Sequence, residues 1–411
     1  MDDIAITGIG IISSMGIGKD AFWSGCREAR TGIKRITAFD ADSFDSNVAG
    51  WIDDFDPRQF MPRRTYRRMS RISRMAVAAS VEALEDSSII IDDDNRDRIA
   101  VILGTSYGSS AHVEDFFVSL LRDGPRGAQP FLFPETVPNA PASQISIFHG
   151  IRGPNSTFCQ NEISAESAIL YARNILSQGI VDTVIVGGAD ELSQMQYSSY
   201  NALGVLNKVR AKEGERISPE MGGGLILGEG AGILVMERLN TAAKRGATIY
   251  GLLKSATITG GVTSPSRYEP GGNAMKRAIN HAMEEAEIST DSIDHISVSA
   301  NFSAALDETE YRILSEIFAK GKDNLQVSPL KYLMGTFGGA GTTRTAAVLL
   351  SLHKQVPLPT VALDMLNRKG SQPCKWSTPS AGTTGTALMT SSTFGGGSST
   401  LIFTQHQKDN Q

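Results

Sequence analysis

The stretch GPNSTFCQNEISAESAI, Gly153 to Ile169, holds the residues best placed to do chemistry. A Gly-Pro-Asn turn, a short polar-apolar run and then a helix rich in small residues is the layout of a strand delivering a nucleophile to a helix N-terminus. At such a position the helix dipole lowers a thiol's pKa and favours the nucleophilic thiolate. Cys159 is the candidate by residue type. It lies upstream of the turn into the helix, on the strand side, and no neighbouring motif supplies a base. A lone cysteine there reads as a small buried apolar residue.

The elements around this stretch alternate short β-rich runs with helices of small residues. IAVILGTS (Ile99–Ser106), DTVIVGGAD (Asp182–Asp190), AGILVMER (Ala231–Arg238) and HISVSAN (His295–Asn301) read as buried strands. Ser164–Gln178 and Asn273–Glu287 read as helices, and a strand-like run near Ile249–Leu253 opens a second half. TITGGVTSPSRYEPGG (Thr257–Gly272) is rich in Gly, Ser and Pro and reads as a loop. The alternation predicts an α/β fold with largely buried sheets.

Composition narrows the function classes. The chain has 411 residues, 41% hydrophobic and 20% charged, with a net charge of -5. That is ample for a large core and gives no general pull toward nucleic acid or acidic lipid. No run approaches the roughly 18–20 apolar residues of a membrane helix. The N-terminus MDDIAITGIG reads as a first strand rather than a signal peptide. Cys26, Cys159 and Cys374 are scattered and lack metal spacing, which favours a reducing cytoplasm over a disulfide frame, and no metal site is expected.

RRTYRRMSRISRMAVAASVEAL (Arg63–Leu84) reads as one basic amphipathic helix. Met69, Ile72, Ala76, Ala79 and Ala83 form an apolar face at helical spacing, and Arg64, Arg67, Arg71 and Arg74 form another stripe. One reading is a solvated face. The other is a positive field that steers an acidic partner, since Arg63, Arg64, Arg67 and Arg68 crowd into six residues.

TGIGIISSMGIGKDAFW, GEGAG (Gly228–Gly232), VSPLKYLMGTFGGAG (Val327–Gly341) and TFGGG (Thr393–Gly397) stand in the order found in β-ketoacyl synthases. The chain resembles these condensing enzymes of fatty-acid and type II polyketide synthesis over nearly its whole length. The resemblance implies a thiolase-like α/β fold, two pseudo-duplicated halves in five α-β-α-β-α layers, here 1–250 and 251–411. It also implies the catalytic positions. The family's cysteine lies nine residues after the Gly of the Gly-Pro turn, which here is Glu162. Its first histidine position is Asn301, followed by Asp307 and Glu310. Its second histidine position is Thr336, with Lys331 retained. Cys-His-His is thus replaced by Glu-Asn-Thr, and none of the six histidines falls on either motif position.

A carboxylate suits a helix N-terminus but makes no lasting thioester. Asn and Thr donate hydrogen bonds but do not titrate usefully. The resemblance is therefore to the chain-length factor, the inactive subunit that pairs with an active ketosynthase. That implies a heterodimer joined through the strand Asn155–Gln160, and a tunnel gated by Ser110, Val113, Phe117, Phe133 and Pro134. Ser110, Val113 and Phe117 share one helix face by spacing; plain core packing is the competing reading of the two phenylalanines. It implies docking of an acyl carrier protein at Arg63, Arg64, Arg67 and Arg68. The substrate would ride on the carrier's phosphopantetheine, with no cofactor bound here. The product would be octaketide-like, of an anthraquinone or aryl-polyene pathway. Phe394 matches the family's gating phenylalanine, with only a structural role here. The rival is an enzyme, a divergent acyltransferase or malonyl decarboxylase using Glu162 or Cys159.

Overall fold

A computed structural model describes residues 3–212, 217, 221–318, 326–370, 374–377 and 384–406. The strands are β1 (Ile4–Ser13), β2 (Gly16–Ile17), β3 (Ile33–Arg35), β4 (Val48–Gly50), β5 (Ile99–Gly104), β6 (Asn155–Phe158) and β7 (Thr183–Asp190). They continue with β8 (Gly230–Arg238), β9 (Gly251–Gly260), β10 (His295–Ser297), β11 (Gln326–Ser328), β12 (Val361–Ala362), β13 (Thr386–Ser392) and β14 (Gly397–Thr404). β3 and β4 pair with each other, and the rest form one 12-stranded sheet of order β12-β11-β10-β13-β14-β9-β1-β8-β7-β5-β6, with β2 on β1.

Apart from β12, which pairs antiparallel with β11 at one end, the pairing pattern is a palindrome. Outward from β1 the pairings run antiparallel to β8 and β7, then parallel to β5 and β6. Outward from β9 they run antiparallel to β14 and β13, then parallel to β10 and β11. β1 and β9 meet antiparallel at the centre. The helices Ser164–Ser177 and Ala340–Lys354 pack on each other and on strands of both halves. Ala340–Lys354 is buried on every face from Ala340 to Leu352, as a helix enclosed between the two halves of the sheet must be. Arg71–Ser87 covers β1 and β8 on one outer side, and Asn273–Glu285 covers β9 and β14 on the other. This is the thiolase-like arrangement the sequence implied.

Arg71–Ser87 lies unusually close to β1. A Cβ at Gly10 would sit 1.9 Å from the Ala79 carbonyl oxygen, so only glycine permits the contact. The apolar face read from the sequence (Met69, Ile72, Ala76, Ala79, Ala83) is buried there.

Two expectations are corrected. The basic segment is not one helix: a turn at Arg63–Tyr66 is separated from Arg71–Ser87, because Ser70 is extended and its side chain accepts from the Ser73 N–H, capping a new helix. The arginine stripe breaks with it. Arg71 turns inward to Glu229 at 2.6 Å, and the Arg74 Nε donates to the Tyr66 carbonyl at 3.0 Å. The stretch Thr257–Gly272 is not all loop, since Thr257–Gly260 completes β9 and pairs with β14.

Candidate functional site

β6 ends at Phe158, and the chain turns through Gln160–Ile163 into the helix Ser164–Ser177. Asn161 takes the left-handed conformation, φ +49°, which asparagine tolerates. The turn carries Glu162 to the start of the helix and buries it, 2% exposed. Its Oε2 accepts from the Thr393 hydroxyl and from the Phe394 N–H at 3.2 Å. Its Oε1 accepts from the Tyr268 phenol at 3.0 Å. Three donors and the positive helix end meet one carboxylate, the arrangement that stabilises a buried negative charge.

Asn301 follows β10 and is equally buried. Its Nδ2 donates to the Tyr268 phenol oxygen at 2.8 Å. The next residue, Phe302, is held at φ +74°, a strained conformation for an aromatic residue. Asp307 imposes it by accepting the N–H groups of Asn301 at 2.9 Å and Phe302 at 3.1 Å. Burial pushes the Asp307 carboxyl up to about 7. Glu310 accepts from the N–H groups of Ser299 and Ala300, both at 2.8 Å. Lys331 is fully buried, its pKa pulled down to about 8 chiefly by burial, with Arg344 adding and Glu162, Glu166 and Glu310 opposing.

The structure therefore joins two of the three expected positions, Glu162 and Asn301, through Tyr268. Thr336 is buried nearby in sequence to Lys331, but its hydroxyl has no hydrogen-bond partner. Its backbone is held by Ile226 and Gly228 instead. Among the described residues, no histidine hydrogen-bonds Glu162 or Cys159. His295 bonds Ser328, His149 bonds Ser80, and burial lowers both to about 4.

Tyr268 was not anticipated from the sequence. It is 4% exposed, and its ring packs on Phe394 with centroids 4.5 Å apart. Tyr200 lies beyond Phe394 at 6.3 Å. The phenol fills the space between carboxylate and amide. A cavity beside it, bounded by Leu306, Thr309 and Thr393, measures about 10 Å³, room for one water. The one available signal was an aromatic residue inside a Gly/Ser/Pro-rich run. Thr393 was quoted only within the TFGGG motif.

Cys159 departs from expectation: it is exposed, not a buried filler. Partial burial, then Asp190, raises its thiol pKa, the direction opposite to a reactive thiolate.

The helix Ser110–Asp123 carries Ser110, Val113 and Phe117, and Phe133 and Pro134 fall in a short turn, Phe133–Glu135. Ser110 is buried and Val113 half-buried. Phe117 and Phe133 are 52% and 60% exposed, so neither is core packing of this chain. Phe116, which the sequence reading passed over, touches both rings at 5.7 and 5.8 Å. Arg63, Arg64, Arg67 and Arg68 are all exposed, and none forms an ion pair among the described residues, unlike Arg58 and Arg71 on either side. Among the described residues no acidic, Cys or His cluster has the geometry of a metal site, and no helix is long and apolar enough to cross a membrane.

Comparison with known proteins gives a consistent set. The profile described as Beta-ketoacyl synthase, N-terminal domain, matches residues 1–242, and that of the Beta-ketoacyl synthase, C-terminal domain, matches residues 250–364. The 3-oxoacyl-[acyl-carrier-protein] synthase 2 of Synechocystis sp. is 29% identical over 409 residues, 98% of each chain. The protein of the same name from Vibrio harveyi is 30% identical over 373 residues, 88% of each chain. Among solved structures, the ishigamide ketosynthase/chain length factor superposes with a TM-score of 0.86 at 25% identity, covering 99% of this chain and 100% of that one.

Proposed function

This chain belongs to the β-ketoacyl synthase family, and on that premise we propose that it is a chain-length factor, a partner without condensing activity that shapes the tunnel of an active ketosynthase. The observation that carries this reading is Tyr268 seated between Glu162 and Asn301. The position where relatives of this family form a thioester holds an engaged carboxylate, and the space an acyl thioester would need is filled by the chain's own phenol. The rival enzymatic reading rests on Cys159 or Glu162. The raised Cys159 pKa and the three donors on Glu162 both count against it.

Pairing with the ketosynthase uses β6. It is the last strand of the sheet. The carbonyls of Pro154 and Phe158 accept from the N–H groups of Val101 in β5 and of Thr105 just after it, so by alternation the backbone groups of Asn155 and Thr157 face outward, ready to continue the sheet. Exposed Phe117, Leu121, Phe131, Phe133 and Ile147 supply apolar area on nearby elements. The growing chain then runs past Ser110, Val113, Phe117, Phe133 and Pro134, delivered on the phosphopantetheine of an acyl carrier protein. Arg63, Arg64, Arg67 and Arg68, exposed and in no ion pair among the described residues, meet the carrier's acidic surface. The small side chains at 110 and 113 leave depth for an octaketide-like chain, of an anthraquinone or aryl-polyene pathway.

The test is reconstitution with the active ketosynthase and carrier. Product forms only with both subunits, is lost when the partner's cysteine is replaced, and persists in Glu162→Gln. The amide suits the site because the Tyr268 hydroxyl both donates and accepts. Loss of product in Glu162→Gln, with the complex intact, contradicts the reading.

A further inference from the structure

The helix Ser110–Asp123 and the turn Phe133–Glu135 are weakly held by apolar packing. Of the helix's fourteen residues only Ser110 is buried. What fixes both elements is a buried polar hub around Glu135, which is 1% exposed. Its Oε2 accepts from the Ser70 N–H at 3.1 Å, the Ser70 hydroxyl at 2.8 Å and the Ser73 hydroxyl at 2.6 Å. Its Oε1 accepts from the Gln144 amide at 2.7 Å. The Ser70 hydroxyl lies 2.9 Å from that of Ser109, the residue that precedes the helix Ser110–Asp123. A second buried carboxylate, Glu191, ties the same two helix starts by accepting the N–H groups of Ile72 at 3.0 Å and Ala111 at 2.8 Å. Both carboxylates sit at helix N-termini, where the dipoles favour them.

We propose that Glu135 is a positioning residue for product length: it fixes the helix bearing Ser110, Val113 and Phe117 against the turn bearing Phe133, and so sets where the tunnel ends. The inference rests on the chain-length reading above. Glu135 touches no substrate. It acts through the Phe116–Phe133 contact at 5.8 Å, which closes only if the turn and the helix keep their spacing. Buried networks of this kind hold one geometry when every member is satisfied, and loosen when one acceptor becomes a donor. The hub also includes Ser70, the residue that starts the helix just after the exposed arginines.

The experiment compares Glu135→Gln, Ser73→Ala and Val113→Phe in the complex with ketosynthase and carrier, scoring product-length distribution and melting temperature. It adds hydrogen exchange on the full chain alone. Glu135→Gln is expected to spread product over neighbouring lengths, with a second length at a tenth or more of the total. Amides of residues 112–123 are expected to exchange about tenfold faster while those of β1 and β8 do not change. Ser73→Ala, which removes one donor and leaves the others, gives the same changes to a smaller extent and decides the matter if Glu135→Gln does not fold. An unchanged distribution in both, alongside an altered one in Val113→Phe, overturns the role of Glu135 and leaves the chain-length reading standing. No change in any of the three overturns that reading itself. Unchanged exchange in residues 112–123 overturns the positioning claim on its own.

Discussion

The phenol of Tyr268 donates to Glu162 at 3.0 Å while accepting from Asn301 at 2.8 Å. One side chain thus stitches together the two positions at which relatives of this family are expected to keep a nucleophile and a base. The link crosses from the helix start after β6 to the loop after β10, the two halves of the palindromic sheet. On the function proposed above, the phenol closes the space beside Glu162 to an acyl group.

The same proposal predicts that placing a thiol at 162 is not enough to make the site reactive. Glu162→Cys should react with iodoacetamide or an acyl carrier thioester no faster than a buried thiol. Glu162→Cys combined with Tyr268→Ala should react at least tenfold faster, read by intact mass. Equal reaction of the single variant would show that the phenol does not block access. The Tyr268→Ala change also costs about 3–5 kcal/mol of stability for the lost aromatic volume, measurable as a shift in denaturant midpoint.

Reversing charge at Arg67 and Arg68 to Glu should weaken binding of the carrier about tenfold or more at low salt, with the difference shrinking at high salt. Among the described residues the four exposed arginines form no ion pair, so the change leaves the fold intact. Titration calorimetry at two ionic strengths measures it, and salt-independent binding contradicts the docking surface.

Thr157→Pro removes an outward-facing N–H from β6 without touching the β5 side, where Ser156 and Phe158 are the bonded positions. The chain should remain folded but fail to co-purify with the ketosynthase. Retained complex would mean that β6 is not the joining edge.

Stability should rise as pH falls from 7.5 to 6.5. Burial raises Glu82, Glu191 and Asp307 to about 7 and Asp190 to about 6. In the folded chain these groups hold protons that the unfolded chain has released, so their contribution is present at low pH and lost as pH rises through 7. The buried His149 and His295, lowered to about 4, begin to act the other way as pH nears their ordinary value of 6.5, and Lys331, lowered to about 8, opposes weakly, but the four carboxyls outnumber them. Glu82 receives one backbone N–H, from Ile11 at 3.0 Å, which a Gln oxygen also accepts. Glu82→Gln should flatten the slope of melting temperature against pH; an unchanged slope contradicts the assignment.

Much of the fold was legible because the strands are buried on both faces, and continuous runs such as IAVILG have no competing helical period. The boundary errors have local causes. Thr257–Gly260 alternates small polar residues, which hid the end of β9, although β14 pairs with each of them. The break at Ser70 was masked by an apolar face that keeps helical spacing across it, Met69 included. The site was half legible. Register counting picked out Glu162 and Asn301 from motif spacing, and the structure brings both to one phenol. Tyr268 was out of reach because its placement depends on a loop folding back 106 residues from Glu162. Cys159 was misjudged because average burial of cysteines says nothing about an open sheet edge.

The central claim is tested most directly by incubating the isolated full chain with acyl and malonyl carrier proteins and measuring intact mass and carbon dioxide release. The expected result is an unmodified chain and no release above the carrier's own rate. A covalent acyl adduct that disappears in Cys159→Ala or Glu162→Ala would contradict it and make the chain an enzyme in its own right.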